Sequence, residues 1–241
     1  MFLIITPLIA AAALLPLRAQ IAEAPSPDEI IRSFETADAK RRSSMPAYTS
    51  IRDYSVENTR FRVKAGMKVE VTVDAAGAKH FRILSQTGPG AVRKLVFKRM
   101  LETEAKASTP DGQAATRICR DNYSFKFIET AVIDTRPHHV FELEPRSSNP
   151  VLFRGRIWID AAHLAVTRIE AAPAKKPSIW VKRTGFVHQN QLLDGHWVPA
   201  LNQSDSDIRI FGRSTTRIVY GDYKFAAPGP AEPDPGLATP R

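Results

Sequence analysis

Residues able to do chemistry are few and poorly grouped along this 241-residue chain. The adjacent pair His138-His139 carries atoms a metal could use. Neighbours on an extended segment point to opposite faces, however, so the two rings cannot chelate one ion without a bend. No further His or Cys stands at zinc-finger or zincin spacing. His80, His163, His188 and His196 are scattered and read as surface or strand-edge histidines. Glu142 and Glu144 share one strand face, where paired carboxylates could serve glycoside hydrolysis. Among basic strands the ordinary use of such a pair is cross-strand ion pairing. Asp205 and Asp207 read as a polar strand start. Neither a G-x-S-x-G elbow nor a glycine-rich phosphate loop occurs, and Gly88-Pro89-Gly90 reads as a turn into a helix. Cys119 is the only cysteine. Arg117 and Arg120 flank it, a setting that suits a reactive thiol, but a solvent-facing or semi-buried bystander is the simpler reading. The expectation is a protein that is not an enzyme and has no metal and no cofactor.

The elements that would position any site are mostly strands. From Asn122 to Phe225 one strand pattern follows another, each break marked by turn chemistry. Tyr123–Phe127, His138–Glu144, Phe153–Ile159, Leu164–Ala171, residues 179–188, His196–Gln203, residues 208–211 and Thr216–Phe225 all read this way. Tight turns such as Asp194-Gly195 join neighbours antiparallel, because parallel strands need long crossovers. Upstream, Met67–Val73 alternates cleanly and returns through Asp74–Gly77 into His80–Leu84. Ala47–Arg62 reads as a strand pair or one long bent strand. Two helices interrupt this pattern. Ser26-Pro27-Asp28-Glu29 is a capping box with proline at the first helical position, and Ile30, Ile31 and Phe34 follow as an apolar stripe ending near Arg41-Arg42. A second helix runs from about Ala91 to Ala107, and Ser108–Gly112 ends it. It must pack on one side of the sheet. No internal repeat is evident.

The ends and the charge bound the setting. Phe2–Leu17 is an apolar run followed by small residues, which reads as a secretory signal peptide over 1–19. It lacks a preceding Lys or Arg and is short for a membrane span of about 20 residues. Residues 20–225 then form one domain, large enough for a sizeable core. The tail 226–241 is rich in Pro, Gly and Ala and is expected to be disordered. One cysteine cannot form an internal disulfide. The net charge is +9, less one if Arg18 leaves with the leader. Export and the dispersal of that charge along strands argue against nucleic acid. An anionic membrane surface, a membrane protein or an acidic partner is the more fitting counterpart.

The large apolar side chains remain. Phe125, Phe127, Phe141, Leu143, Trp158 and Trp180 fall in strands, as do Phe186 and Trp197, and most of these should be core. Arg154, Arg156 and Trp158 share one face of their strand, while Phe153, Ile157 and Ile159 share the other. Such bulk on both faces suits a sheet with helices on one side and an apolar concavity, and concavities of this kind bind lipids or acyl chains.

Four segments carry a family resemblance: Gly155-Arg-Ile-Trp-Ile-Asp160, Ala165-Val-Thr-Arg-Ile-Glu170, Gly195-His-Trp-Val-Pro199 and Ile218-Val-Tyr-Gly-Asp-Tyr223. Together, over roughly residues 27–225, the chain resembles the outer-membrane lipoprotein-sorting proteins of the LolA/LolB/RseB-like superfamily. The motifs mark strand turns rather than chemistry. The resemblance implies a mainly β (α+β) fold, a single highly curved antiparallel sheet or half-barrel with covering helices, and a periplasmic location in a diderm bacterium. It further implies a hydrophobic cavity holding a lipid or lipoprotein acyl chain. Phe125, Phe127, Phe141, Leu143, Trp158 and Trp180 are the expected lining, and the protein is expected to be a monomer. The alternative is a sensor or scaffold on the same fold that binds a protein partner, since fold does not fix function.

Overall fold

The computed structural model describes residues 24–175, 181–210 and 212–227. The expected signal peptide over 1–19, Trp180 and all of the expected tail beyond residue 227 lie outside the described residues.

Ten antiparallel strands form one open sheet in the order β3-β2-β1-β10-β9-β8-β7-β6-β5-β4. The first three are β1 (Tyr48–Asn58), β2 (Val63–Val73) and β3 (Lys79–Thr87). The rest are β4 (Tyr123–Ile133), β5 (Arg136–Pro145), β6 (Phe153–Asp160), β7 (Val166–Pro173), β8 (Val181–Leu193), β9 (His196–Ile208) and β10 (Gly212–Phe225). All neighbours are consecutive hairpins except one: β1 pairs with β10 and so joins the N-terminal and C-terminal meanders. β3 and β4 are therefore the two outer edges, and residues 88–122 must carry the chain from one edge to the other. The helices after β3 lie on that path: α2 (Gly90–Val92), a π-helical turn (Arg93–Phe97) and α3 (Lys98–Ala107), then α4 (Pro110–Thr116).

The hairpins follow turn chemistry. Asp194 and Gly195 both adopt positive φ (49° and 79°) between the paired residues Leu193 and His196, the two-residue turn whose twist matches the strands. Asp134 and Thr135 make the same kind of turn between Ile133 and Arg136, at φ 47° and 67°. A β-branched residue there is strained, which is why the turn is hard to read in the sequence. At Gly155 the φ is 152°, and an added Cβ would meet the Glu170 carbonyl oxygen at 2.2 Å. Glycine opens the Gly155–Asp160 segment because β7 passes too close for any side chain.

Helix α1 (Pro27–Ser44) begins with the expected capping box, in which Ser26 and Glu29 bond reciprocally. The strand pattern is largely as expected, with differences in two places. Of the two readings of Ala47–Arg62, the single strand holds, as β1. The strand expected over 208–211 falls partly outside the described residues, and its described part is no separate strand: β9 runs on to Ile208 and β10 starts at Gly212, so Asp205 and Asp207 lie within β9 rather than at a strand start. The stretch after Ala107 is a helix N-terminus as well as a stop, because Thr109 caps α4 by accepting from the Gly112 N–H and Pro110 takes the first position.

Two apolar clusters form. One joins Ile30, Ile31 and Phe34 of α1 to Tyr123, Phe141, Leu143, Ile157, Ile159 and Ile169. The other joins Phe97 of the π-helical turn to Tyr54, Val56, Met67, Val69, Val71, Ile218 and Tyr220. Cross-strand register places both on the same face. Tyr54 pairs with Ile218, Ile218 with Asn202, Asn202 with His188, His188 with Ile169, Ile169 with Ile157 and Ile157 with Phe141. Directly paired residues share a face. The helices thus cover the two flanks of one face of the curved sheet, and its middle carries Asn202, His188, Ser204 and Thr216.

Candidate functional site

Of the six residues expected to line a cavity, five are described, and they lie on two faces of the sheet. Phe125, Phe127, Phe141 and Leu143 share the helix-covered face through the pairs Phe125–Leu143 and Phe127–Phe141. Phe141 and Leu143 are fully buried, packed in the cluster that α1 closes. Phe127 lies on the edge strand β4 and keeps 37% of its surface exposed. Trp158 pairs with Val140 and Arg168 and so belongs to the opposite face, where the Arg168 guanidinium lies 5.8 Å from its ring. Strand alternation puts it there: its neighbours Ile157 and Ile159 are the core residues. Trp180 lies outside the described residues.

An open cleft of about 350 Å³ lies instead where the covering helices meet. Arg41, Arg42 and Met45 from the end of α1 line one wall; Val73, the 74–77 turn and Lys79 line another; Tyr48, Ala165, Val166, Asn190 and Trp197 complete it. Each wall is pinned. The Arg41 guanidinium donates to the backbone carbonyls of His163 and Leu164 at 2.9 and 2.7 Å, fixing α1 to the turn after β6. Glu35 of α1 accepts from the Arg120 backbone N–H and side chain. Gln113 of α4 donates to Ser108 and Ala76 carbonyls, holding α4 against the β2–β3 turn.

Behind the cleft lies an ionic cluster that the sequence reading missed. Glu104 of α3 accepts from Arg52 Nη1 of β1, from Lys79 Nζ at 2.8 Å and from the Tyr54 hydroxyl at 3.2 Å. Arg52 is 1% exposed and lies 4.9 Å from the Tyr220 ring. Burial raises the Glu104 carboxyl, and Lys79 and then Arg52 more than reverse this, leaving it below the ordinary carboxylate range. Burial likewise lowers Arg52, and Glu104 chiefly turns that into a net rise. The only sequence sign of Arg52 was its parity with Tyr54 and Val56 on a buried stripe.

The remaining candidates serve structure. Asp160 is buried and caps the turn after β6, accepting from the backbone N–H groups of Ala162 and His163 and from the His163 ring at 3.0 Å. Its carboxyl stays low: burial raises it, and the bonds from His163 and Ala162 outweigh this. His138 is buried and bonds the Arg136 carbonyl, while His139 contacts Thr130. Glu142 and Glu144 form the cross-strand pairs expected, with Lys126 at 3.6 Å and Arg154 at 3.2 Å. Cys119 is half-buried beside Arg42 and Arg117. Burial lowers the His188 ring, while Asn190, bonded at 3.0 Å, raises it and Lys79 lowers it further. No described helix is long and apolar enough to cross a membrane.

No protein-family model matches the chain, and no curated protein matches it. Solved structures do. A LolA superfamily protein of Nitrosomonas europaea is 9% identical with a TM-score of 0.46, over 82% of this chain and 94% of that one. A domain named for outer-membrane lipoprotein sorting from Vibrio parahaemolyticus is 13% identical (TM-score 0.42, 80% and 91% covered). A DUF1329 family protein from Desulfovibrio piger is 12% identical (TM-score 0.41, 81% and 92% covered). The solved structures to which this chain is similar include one LolA superfamily protein and one domain named for outer-membrane lipoprotein sorting.

Proposed function

We propose that the chain is an exported, periplasmic, non-enzymatic protein that holds the acyl chain of a lipid or lipoprotein between its sheet and its helices. The observation that carries this reading is the cleft between α1 and the α3–α4 segment, with Met45, Tyr48, Val73, Ala165, Val166 and Trp197 in its walls. About 350 Å³ is near the small end of ligand sites, about 300–1,000 Å³, and suits one chain rather than several. Each methylene moved out of water is worth about 0.8 kcal/mol. A larger cargo needs α1 to lift, which would turn Phe141, Leu143 and Phe125 from core into lining.

Mass spectrometry of the mature protein from a diderm host, native and then after organic extraction, tests this. A stoichiometric acyl species is expected. A clean unliganded mass, with no uptake of added palmitate or diacylated peptide, overturns the reading. A specific observation favours a second reading, a module that binds a protein partner: among the described residues neither outer strand, β3 nor β4, has a partner on its far side, which suits strand addition.

A further inference from the structure

A groove separate from the cleft runs beside the β3 edge. Among the described residues β3 bonds only to β2, and most of its residues are exposed, including Ile83 at 49% and Leu84 at 42%. Natural sheets usually blunt such an edge, because its free N–H and C=O groups are a template for another strand. Here a bulge at Leu84 interrupts the edge, but Lys79–Ile83 pairs regularly with β2 on one side of it. Between β3 and the 90–107 helix lies a groove of about 560 Å³, lined by Ile83, Leu101, Arg93, Lys94 and Lys98. Arg93 and Lys94 have no ion-pair partner among the described residues, and Lys98 has only the exposed Glu102 at 3.7 Å. The π-helical turn sits at this groove; it spans Arg93–Phe97, burying Phe97 fully while Leu95 stays 71% exposed among the cations. Such single π turns often mark functional sites.

We propose that this groove docks an extended, acidic segment of a partner protein, which adds a strand to β3 and sets its carboxylates against Arg93 and Lys94. The open backbone decides between a peptide and an anionic membrane: a strand satisfies edge N–H and C=O groups, and a lipid surface does not. Exposed apolar groups beside the cations give alternate side chains of the incoming strand something to cover.

The test uses the mature chain and a fluorescent decapeptide of alternating glutamate and valine, with a lysine–valine peptide as control. The expected result has four parts. The acidic peptide binds saturably, and more weakly at 300 than at 50 mM salt. Amide exchange slows across residues 79–87. The double variant Arg93→Glu, Lys94→Glu binds at least tenfold more weakly with an unchanged melting temperature. Equal binding of the lysine peptide, protection only at β4 or the cleft, or an unaffected double variant overturns the proposal. So does binding to phosphatidylglycerol vesicles without binding to the peptide. No residue lines both the groove and the cleft, so the double variant should still take up an acyl chain.

Discussion

Replacing Glu104 by glutamine keeps the shape of the side chain and removes the one negative charge that Arg52, Lys79 and the Tyr54 hydroxyl converge on. Two unit charges 4 Å apart interact by about 4 kcal/mol at an effective dielectric of 20. Breaking a buried pair by removing one partner costs about 3–5 kcal/mol, because the other charge stays buried and uncompensated. Arg52 cannot reach water, whereas Glu104 keeps 19% of its side chain exposed and Lys79 27%, which favours the lower end of that range. The expected loss for Glu104→Gln is about 3 kcal/mol at pH 7. For a domain of this size that lowers the melting temperature by about 6–12 °C. Urea titration of both proteins from pH 3 to pH 8 is the assay. A carboxyl held low in the folded state stabilises fully above its unfolded pKa of about 4.3, and that contribution is lost as pH falls through the folded value. The deficit of the variant should therefore be flat from pH 6 to 8 and shrink below about pH 4. Arg52→Met with Glu104→Leu should recover most of the loss, since apolar replacement of both partners is often neutral or better. A variant within 1 kcal/mol of the parent at pH 7, or a deficit that persists in acid, would refute the argument.

Gly155→Ala should lose about 2–4 kcal/mol in urea unfolding, combining left-handed strain with a Cβ driven into the Glu170 carbonyl and Ala171; a loss below 1 kcal/mol would mean β7 moves aside freely. Thr135→Gly should gain about 1 kcal/mol by removing a β-branched residue from φ 67°, read as a higher urea midpoint at constant slope; a lower midpoint counts against a strained turn. His188 is held neutral, mainly by burial, so its stabilisation is complete above the unfolded value of about 6.5 and is lost as pH falls from there toward its lower folded pKa. His188→Gln should accordingly flatten the dependence of stability on pH below 6.5, and an unchanged slope there would exclude the ring as its source.

Much of the sheet was readable because hairpins are local. Asp194-Gly195 and Asp74–Gly77 announce their turns, and alternation in Met67–Val73 sets its faces. The pairing of β1 with β10 was not readable, since the two strands share no turn. α4 hid behind a Thr-Pro pair that both ends one helix and caps the next. The side on which Trp158 lies was unreadable on a different ground. Alternation told that Trp158 opposes Ile157 and Ile159, but only packing against α1 decides which side is interior. The ionic cluster was equally dark, because an arginine on a strand reads as solvent-facing unless its partner, here Glu104 some fifty residues on, is known to lie above it.

The β1–β10 seam also bears on how the chain comes to be made. The first meander is complete by residue 87, yet β1 has no neighbour on its second side until Gly212–Phe225 has been synthesised and, if exported as proposed, delivered across the membrane. Contacts this distant in sequence form slowly, and until they form β1 presents an unpaired edge. The half-finished protein is then a target for strand exchange with its own copies. Truncation within the final strand should therefore reveal itself first as aggregation during production and only second as lost binding. A host rich in chaperones for exported chains should raise the yield of soluble protein more than a slower rate of synthesis does.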